Sequence, residues 1–381
     1  MDFSMTEDQT MLRRMVRDFA EKELEPIAAE IDEAATFPAE SVRKAAEIGL
    51  MGIGYPEKYG GSGGGAIEQV ITFEEVARVC AATAVVIIAS NELTGHPIYM
   101  HGNEEQRQQY LAPLLRGEKL GAFGLTEAGA GSDVASMAMT AKRKNDGYVL
   151  NGNKLFITNG AEADVIVTFA TVDRSQGYRG VTAFIVEKGT PGFSVGKHER
   201  KLGIRASSTA ELVFEDCFVA ETNRLGDEGR GFRIALESID SSRIGIAAQA
   251  VGIAQGAFDK SLAYARERQQ FGESIANFQA IQWMLADMAT QIDAARLLTL
   301  RAAYFKDEGR EFVKEASMAK VFAAETAMSV TTRAVQIHGG YGYTKDYPVE
   351  RYFRDAKITE IYEGTSEMQR MTIARQLLRE N

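Results

Sequence analysis

Gly121-Ala122-Phe123-Gly124-Leu125-Thr126-Glu127-Ala128-Gly129-Ala130-Gly131-Ser132-Asp133 marks the point where the chain changes character. Before this stretch the sequence reads as helix. After it, to about Leu225, it reads as short strands divided by turns, and beyond that as helix again. The glycines let backbone N–H groups approach a ligand, and Thr126 and Ser132 add short hydroxyl donors. No strand–GxGxxG–helix context surrounds the stretch, so it is not a Rossmann fingerprint. A glycine-rich turn is its plainer reading.

Upstream, Thr6 with Gln9 forms a capping-box pattern, and a long helical run follows to about Ala35. A shorter helix from about Glu40 stops at Gly49. Gly60-Gly61-Ser62-Gly63-Gly64-Gly65 reads as a flexible loop, Ile67 to Ile88 as helix, and Asn103 with Gln106 as another helix start. Downstream, Tyr148-Val149-Leu150, Leu155-Phe156-Ile157-Thr158, Val165-Ile166-Val167, Ala183-Phe184-Ile185-Val186 and Leu212-Val213-Phe214 read as strands. The turn signals between them are Asp146-Gly147, Asn151-Gly152, Asn159-Gly160 and Pro191-Gly192. That spacing predicts a compact barrel or sandwich. No proline occurs between Pro191 and Pro348, which leaves long helices free to form. Ile281, Leu285, Met288, Ile292 and Ala295 make one apolar stripe suited to a bundle. The expected fold is mainly α with a central β-domain. Its expected parts are a helical domain over 1–119, a β-domain over 120–225 and a helical bundle over 226–381.

A chain of 381 residues is long enough for two or three well-buried cores. Its net charge of −10 argues against nucleic acid or an anionic membrane as a main partner, while leaving room for a local basic pocket. Cys80 and Cys217 permit one disulfide at most, which reads as a reduced, intracellular chain. Met1-Asp2-Phe3, followed by Glu7 and Asp8, does not look like a targeting leader. The apolar run Ala81 to Ala89 is too short to span a bilayer. A soluble cytoplasmic protein is expected. His96, His101, His198 and His338 form no HExxH, and neither CxxC nor G-x-S-x-G occurs. No metal site is expected, and a hydrolase is poorly supported.

Four further segments could carry chemistry, and each has a plainer reading beside it. In Ile361-Tyr362-Glu363-Gly364-Thr365-Ser366-Glu367, a carboxylate held partly out of water would become a usable base at neutral pH; a solvated Glu at a turn is the alternative. In Lys154-Leu155-Phe156-Ile157-Thr158-Asn159-Gly160, a planar ligand could lie on Phe156 with Thr158 at its edge; a core strand is the alternative. In Glu267-Arg268-Gln269-Gln270-Phe271-Gly272, the planar fork of Arg268 suits a diphosphate; a cation in a last helical turn is the alternative. In Gln336-Ile337-His338-Gly339-Gly340-Tyr341-Gly342-Tyr343, paired glycines allow close backbone approach; a helix C-cap is the alternative.

Together, and in this order, these segments resemble the acyl-CoA dehydrogenase family of flavoproteins. The pieces are Leu125-Thr126-Glu127-x-x-Ala130-Gly131-Ser132-Asp133, Arg268-x-x-Phe271-Gly272, Gln336-x-x-Gly339-Gly340-x-Gly342-Tyr343, and Arg354-Asp355 leading to Ile361-Tyr362-Glu363-Gly364-Thr365. The resemblance covers essentially the whole chain and is greatest to the short-chain, butyryl-CoA branch. It implies an N-terminal helical domain, a middle β-barrel and a C-terminal four-helix bundle. It implies FAD as cofactor and α,β-dehydrogenation of an acyl-CoA to a trans-2-enoyl-CoA. Glu363 would take the α-proton and the β-hydrogen would leave as hydride to the flavin.

By the same resemblance Phe123, Leu125, Thr126, Phe156, Ile157 and Thr158 match positions around the flavin. Ser132 matches a contact to the flavin phosphate and the substrate's pantetheine. Asp240, Arg243, Tyr362 and Gly364 match substrate-contacting positions. Arg268, Phe271, Gln279, Gln336, Gly339 and Gly340 match cofactor positions, most of them reaching the FAD of a neighbouring subunit, and Thr365 and Glu367 match further FAD contacts. Such sharing implies an oligomer, by family a homotetramer built as a dimer of dimers, with electron-transferring flavoprotein as electron acceptor. One departure is Phe156, where many relatives carry Trp.

The acyl group is less legible. In relatives the helix around Ser90-Asn91-Glu92-Leu93-Thr94 helps form the acyl pocket. No Arg lies between Arg78 and Arg107, which disfavours a glutaryl-type substrate. Glu92 reads either as a mark of a polar or shortened pocket or as a solvated helix charge. Linear, branched, cyclic and aryl groups stay open. Competing readings are an enoyl-CoA reductase running the same chemistry backwards, an acyl-CoA oxidase, whose chains are much longer, and a non-catalytic helical scaffold.

Overall fold

A computed structural model describes residues 4–379. Met1, Asp2 and Phe3, on which the leader reading partly rests, lie outside the described residues. Helix α1 (Glu7–Phe19) starts at the expected capping box, with both Thr6–Gln9 bonds at 3.1 Å. The run to Ala35 is not one helix. It widens into a π-helical stretch, Ala20–Leu24, turns next to Pro26, and resumes as α2 (Ala28–Ala34). A proline ring cannot supply the N–H that a continuous helix needs there. Helix α3 (Ala39–Glu47) stops before Gly49 as expected. The glycine-rich loop is held in place, contrary to the flexible reading: the Gly54 and Gly63 N–H groups donate to Gly63 and Tyr55 carbonyls, each at 2.9 Å.

The expected helix from Ile67 to Ile88 is two helices, α4 (Ala66–Ala77) and α5 (Ala81–Ile88). The second continues as a π-helical stretch, Ala89–Gly95, into α6 (His96–His101). The capping box of Asn103 and Gln106 opens α7 (Glu104–Gln106), and α8 (Ala112–Leu115) follows.

The middle of the chain forms one sheet of β1 (Gly121–Gly124), β2 (Thr140–Lys144), β3 (Gly147–Thr158), β4 (Val165–Thr171), β5 (Val181–Glu187), β6 (Phe193–His198), β7 (Thr209–Ala220) and β8 (Arg224–Leu225). The order is β6-β7-β3-β2-β4-β5-β8, with β1 parallel to β4. Asn151-Gly152 is not a turn. Tyr148 to Thr158 lies in a single strand, bulged against β7 at Gly152. A Cβ at Gly152 would sit 2.9 Å from the Met139 Cα, so the bulge needs glycine. Tyr148, Leu150, Ile166, Phe184, Phe214 and Cys217 share one apolar core although their strands come from both arms of the sheet. The sheet therefore curls on itself. Among the described residues the hydrogen-bonded path stays open at β6 and β8, so side-chain packing forms the barrel's interior without a closing ladder. The other face, with Phe123, Phe169 and Ile185, packs on Tyr110, Leu114 and Ile234 of the helical parts.

The last part comprises α9 (Gly231–Glu267), α10 (Gln279–Asp307), α11 (Val313–His338), α12 (Val349–Thr359) and α13 (Ser366–Leu377). Of the predicted stripe, Met288, Ile292 and Ala295 are buried, and Ile281 and Leu285 pack against the same core. Alanine and glycine let α9 approach its neighbours; a Cβ at Gly256 would lie 2.1 Å from the Arg78 carbonyl oxygen on the adjoining segment. Arg354 and Asp355 join the parts. Arg354 binds Asp32 at 2.7 Å and the Leu202 carbonyl at 3.2 Å, while Asp355 accepts from the Ile204 N–H. No helix among the described residues is long and apolar enough to cross a membrane.

Candidate active site

Between α12 and α13 the chain makes the turn that carries Glu363. Thr365 caps α13, accepting from the Met368 N–H at 3.4 Å. Glu363 has φ 53° and Gly364 φ 95°. A left-handed conformation costs a residue with a side chain about 1–2 kcal/mol, so the surroundings must hold it. Three helices do so. Lys320 of α11 donates to the Gly364 carbonyl at 2.7 Å. Gln369 of α13 donates to the Gly364 carbonyl at 2.8 Å and to the Glu363 carbonyl at 3.2 Å, and Arg243 of α9 reaches the latter at 3.3 Å.

The Glu363 carboxylate accepts a hydrogen bond from the Ser242 hydroxyl. Its side chain is half-buried, not solvated. Burial pushes its pKa up to about 7, against the Ser242 hydrogen bond and the cations Lys320 and Arg243, which favour the ionised form. Lys320 is buried, and burial brings it down to about 8 although Glu363 opposes the change. Arg243 pairs with Asp240, where burial raises the carboxyl and the guanidinium pulls it back. Tyr362 donates its hydroxyl to Gln249, whose amide donates to the Ala81 carbonyl at 2.9 Å. The predicted Glu363, Arg243, Asp240, Tyr362 and Gly364 are thus together.

Glu92 is not a solvated helix charge. It is buried beside Lys306 and Ser241, the residue preceding Ser242. Burial works against its charge, but Lys306, His96 and Ser241 together hold its carboxyl below the ordinary range. The backbone joins this region to the glycine-rich stretch: the Gly121 N–H donates to Ser90 Oγ at 3.1 Å, and Asn159 donates to the Val86 and Gly121 carbonyls, each at 3.0 Å.

The glycine-rich stretch is anchored by its own Glu127. This carboxylate accepts from the Ala138 and Met139 N–H groups at 2.5 and 3.1 Å and from Lys154 at 2.6 Å. Lys154 also donates to the Leu125 carbonyl at 3.2 Å, and Leu155 N–H to the Thr126 carbonyl at 2.8 Å. The two predicted flavin segments therefore lie side by side. Thr126 and Thr158 are partly exposed, and Ser132 is exposed. Phe156 sits at a second bulge of β3, with φ 60° and 62% of its surface exposed. Such a ring offers an apolar platform to a planar ligand. The side chains of Phe123, Leu125 and Ile157 belong to the cores, with Phe123 edge-on to Phe169 at 5.0 Å.

A separate cleft of about 480 Å³ is lined by Arg268, Gln270, His338, Gly339, Gly340 and Tyr341, among others. Arg268 is not in a last helical turn. It caps α9 and leads into a two-stranded ribbon, Gln269–Gln270 with Glu273–Ser274, whose tip is Phe271-Gly272. Both tip residues have positive φ, the geometry of a tight two-residue hairpin. Phe271 is 95% exposed, and Gln279, Gln336, Gly339 and Gly340 are exposed. A Cβ on either Gly339 or Gly340 would meet nothing within 4 Å. Thr365 and Glu367 lie on the base's turn and the first turn of α13, away from this cleft. Along α9, Ser242 and Arg268 are separated by roughly 39 Å.

Sequence models of the acyl-CoA dehydrogenase N-terminal, middle and C-terminal domains match residues 6–118, 122–217 and 229–378. The chain belongs to the acyl-CoA dehydrogenase family. Within it, the chain is 54% identical over 379 residues to the short-chain specific acyl-CoA dehydrogenase of Clostridium acetobutylicum, covering all of both chains. It is equally 54% identical to the acryloyl-CoA reductase (NADH) of Anaerotignum propionicum, over 100% of this chain and 96% of that one. The solved butyryl-CoA dehydrogenase of Megasphaera elsdenii superposes over all of both chains with a TM-score of 0.98 at 47% identity.

Sequence reasoning assigned no role to Ser242, Lys320, Gln369 or Gln249. Lys320 left one trace, a charge among the alanines of a bundle helix. Ser242 and Gln249 left none, because their partners lie more than a hundred residues away in the chain.

Proposed function

We propose that this protein is an FAD-dependent acyl-CoA dehydrogenase. It converts a short-chain, or small branched or cyclic, acyl-CoA to the trans-2-enoyl-CoA. The observation that carries the reading is Glu363, a carboxyl brought to about pH 7 in a turn clamped by three helices. A base poised near neutral pH suits removal of a weakly acidic α-proton. Glu363 takes that proton on a carboxylate oxygen, with the Ser242 hydroxyl hydrogen-bonded to it. Asp240, Arg243, Tyr362 and Gly364 line the approach to the base, and Ser132 meets the pantetheine arm.

The residues present fit FAD. Exposed Phe156, flanked by Thr126 and Thr158, suits a flavin ring, and Arg268 beside Gly339 and Gly340 suits a dinucleotide with two phosphates. Bound FAD supplies the acceptor for the β-hydrogen, which leaves with its electron pair as the C=C bond forms. Backbone at Phe123, Leu125 and Ile157, with Thr365 and Glu367, completes the subunit's own FAD site. Arg268, Phe271, Gln279, Gln336, Gly339 and Gly340 serve the FAD of a neighbouring subunit, a reading supported by the roughly 39 Å of α9 that separates Arg268 from Ser242 beside the base. A shared site requires at least two subunits, and family membership supports a homotetramer, a dimer of dimers, with each chain divided as 1–119, 120–225 and 226–381. It works in the cytoplasm and passes electrons to electron-transferring flavoprotein.

The identity to an acryloyl-CoA reductase favours a second reading, the same chemistry run as an enoyl-CoA reductase. The test is anaerobic titration of the yellow holoenzyme with a panel of acyl-CoA thioesters. Short saturated thioesters should bleach the flavin, and Glu363→Gln should retain FAD while losing about 10²–10⁴-fold in bleaching rate. A colourless protein that takes up no flavin would favour the scaffold, and peroxide formed at the turnover rate would favour the oxidase. Unaltered bleaching by Glu363→Gln would mean that another group is the base.

A further inference from the structure

We infer that Lys320 is a positioning residue and the second titrating group of the dehydrogenation: the reaction needs the Lys320 ammonium together with the Glu363 carboxylate. The inference rests on the dehydrogenase reading above. Lys320 lies on α11 and is fully buried. Its Nζ donates at 2.7 Å to the carbonyl of Gly364, the residue that follows the base. A second fully buried lysine, Lys154, has the Glu127 carboxylate at 2.6 Å. Arg243, beside the base, is paired with Asp240. Lys320 makes no ion pair among the described residues, although an unpaired buried charge is costly. The charged groups that face it are Arg243 on α9, Glu363 on the turn, Glu360 at the end of α12 and Glu367 on α13. Glu360 is taken up by Lys357 at 2.5 Å, and Glu367 is exposed to water. The ionised base is therefore the main counter-charge of Lys320.

The dependence is mutual. Lys320 favours the ionised form of Glu363, and Glu363 favours the charged form of Lys320. Burial opposes both, bringing the carboxyl to about 7 and the ammonium to about 8. Between those values the carboxylate is free to accept a proton while the ammonium still holds the turn. At lower pH the base is already protonated. At higher pH Lys320 becomes a neutral amine, whose hydrogen bond to the Gly364 carbonyl is roughly half as strong as the charged one. Glu363 then keeps its left-handed conformation with weaker support, and a base displaced by even a fraction of an ångström transfers protons less well. Because the two groups interact, both limbs of the pH profile belong to the pair.

The experiment follows flavin reduction by butyryl-CoA in stopped flow across about pH 5.5–10, in the wild-type holoenzyme, Lys320→Met and Lys320→Arg, with FAD content read by absorbance. The wild-type rate should fall on both sides, with the alkaline limb near pH 8. Lys320→Met should lose up to about 10²-fold in rate, and its acid limb should move to higher pH because the base has lost a cation. Lys320→Arg should recover much of that rate and show no alkaline fall, since a guanidinium does not titrate in this range. If Lys320→Arg does not fold, the acid limb of Lys320→Met decides. An alkaline limb that persists in FAD-bound Lys320→Arg, or an acid limb unmoved in FAD-bound Lys320→Met, would overturn the inference and leave the dehydrogenase reading intact. Wild-type protein that no acyl-CoA bleaches at any pH would overturn both.

Discussion

At the residue scale, the base is a product of opposing effects in which burial outweighs the rest. Burial raises Glu363, while a hydroxyl and two cations lower it, and the balance falls near neutrality. An acid raised to about 7 is ionised, and so able to accept a proton, only above that pH. The rate of flavin reduction measured by stopped flow should therefore climb through about pH 7 and fall about tenfold per unit below it. Ser242→Ala removes a donor that favours the ionised carboxylate. Its acid limb should move to higher pH, with FAD content unchanged; a limb that stays in place would show that Ser242 does not set the base. Gln369 acts on the backbone instead, holding the carbonyls of Glu363 and Gly364, and Lys320 does both, lowering the base's pKa and binding the Gly364 carbonyl.

At the element scale, the glycine-rich stretch owes its shape less to glycine than to Glu127. That carboxylate takes two backbone N–H groups and the buried Lys154, so one side chain ties the loop to β2 and β3. Glu127→Ala would leave the Lys154 charge buried and unpaired, a loss of about 3–5 kcal/mol. Calorimetry should find a large fall in Tm together with loss of FAD, whereas an unchanged Tm would mean the pair is expendable. The same scale explains which elements were legible. The capping boxes at Thr6 and Asn103 and the stripe from Ile281 to Ala295 depend on neighbours within a few residues, and all three are present as read. Asn151-Gly152 misled because the dipeptide that favours a turn also permits a bulge. Only the approach of Met139, just ahead of β2, selects between them.

At the scale of the whole molecule, Arg354 and Asp355 fasten three parts of the chain around one point, Asp32 from the first, Leu202 and Ile204 from the second, and α12 from the third. The outer end of α9 is left with Phe271 and Tyr343 at 95% and 90% exposure beside the Arg268 cleft. Exposed rings around a cleft of that size mark a surface that gains by being covered. Phe271→Asp should weaken assembly and FAD retention together, read by light scattering coupled to gel filtration and by flavin absorbance. An intact tetramer with full flavin would overturn the shared-site proposal.

The amino-acid order by itself determined the helix–sheet–helix succession, the caps, the apolar stripe and the candidate base. Each of these is set by residues near one another in the chain, through backbone propensity and side-chain periodicity. Tertiary structure alone decided that Glu363 is half-buried and clamped, that Glu92 is a buried, ion-paired carboxylate and not a surface charge, and that Phe123 and Ile157 face cores while Phe156 faces out. Those outcomes depend on desolvation and on partners more than a hundred residues away, such as Ser242 for Glu363 and Ser241 for Glu92, and no local pattern encodes them.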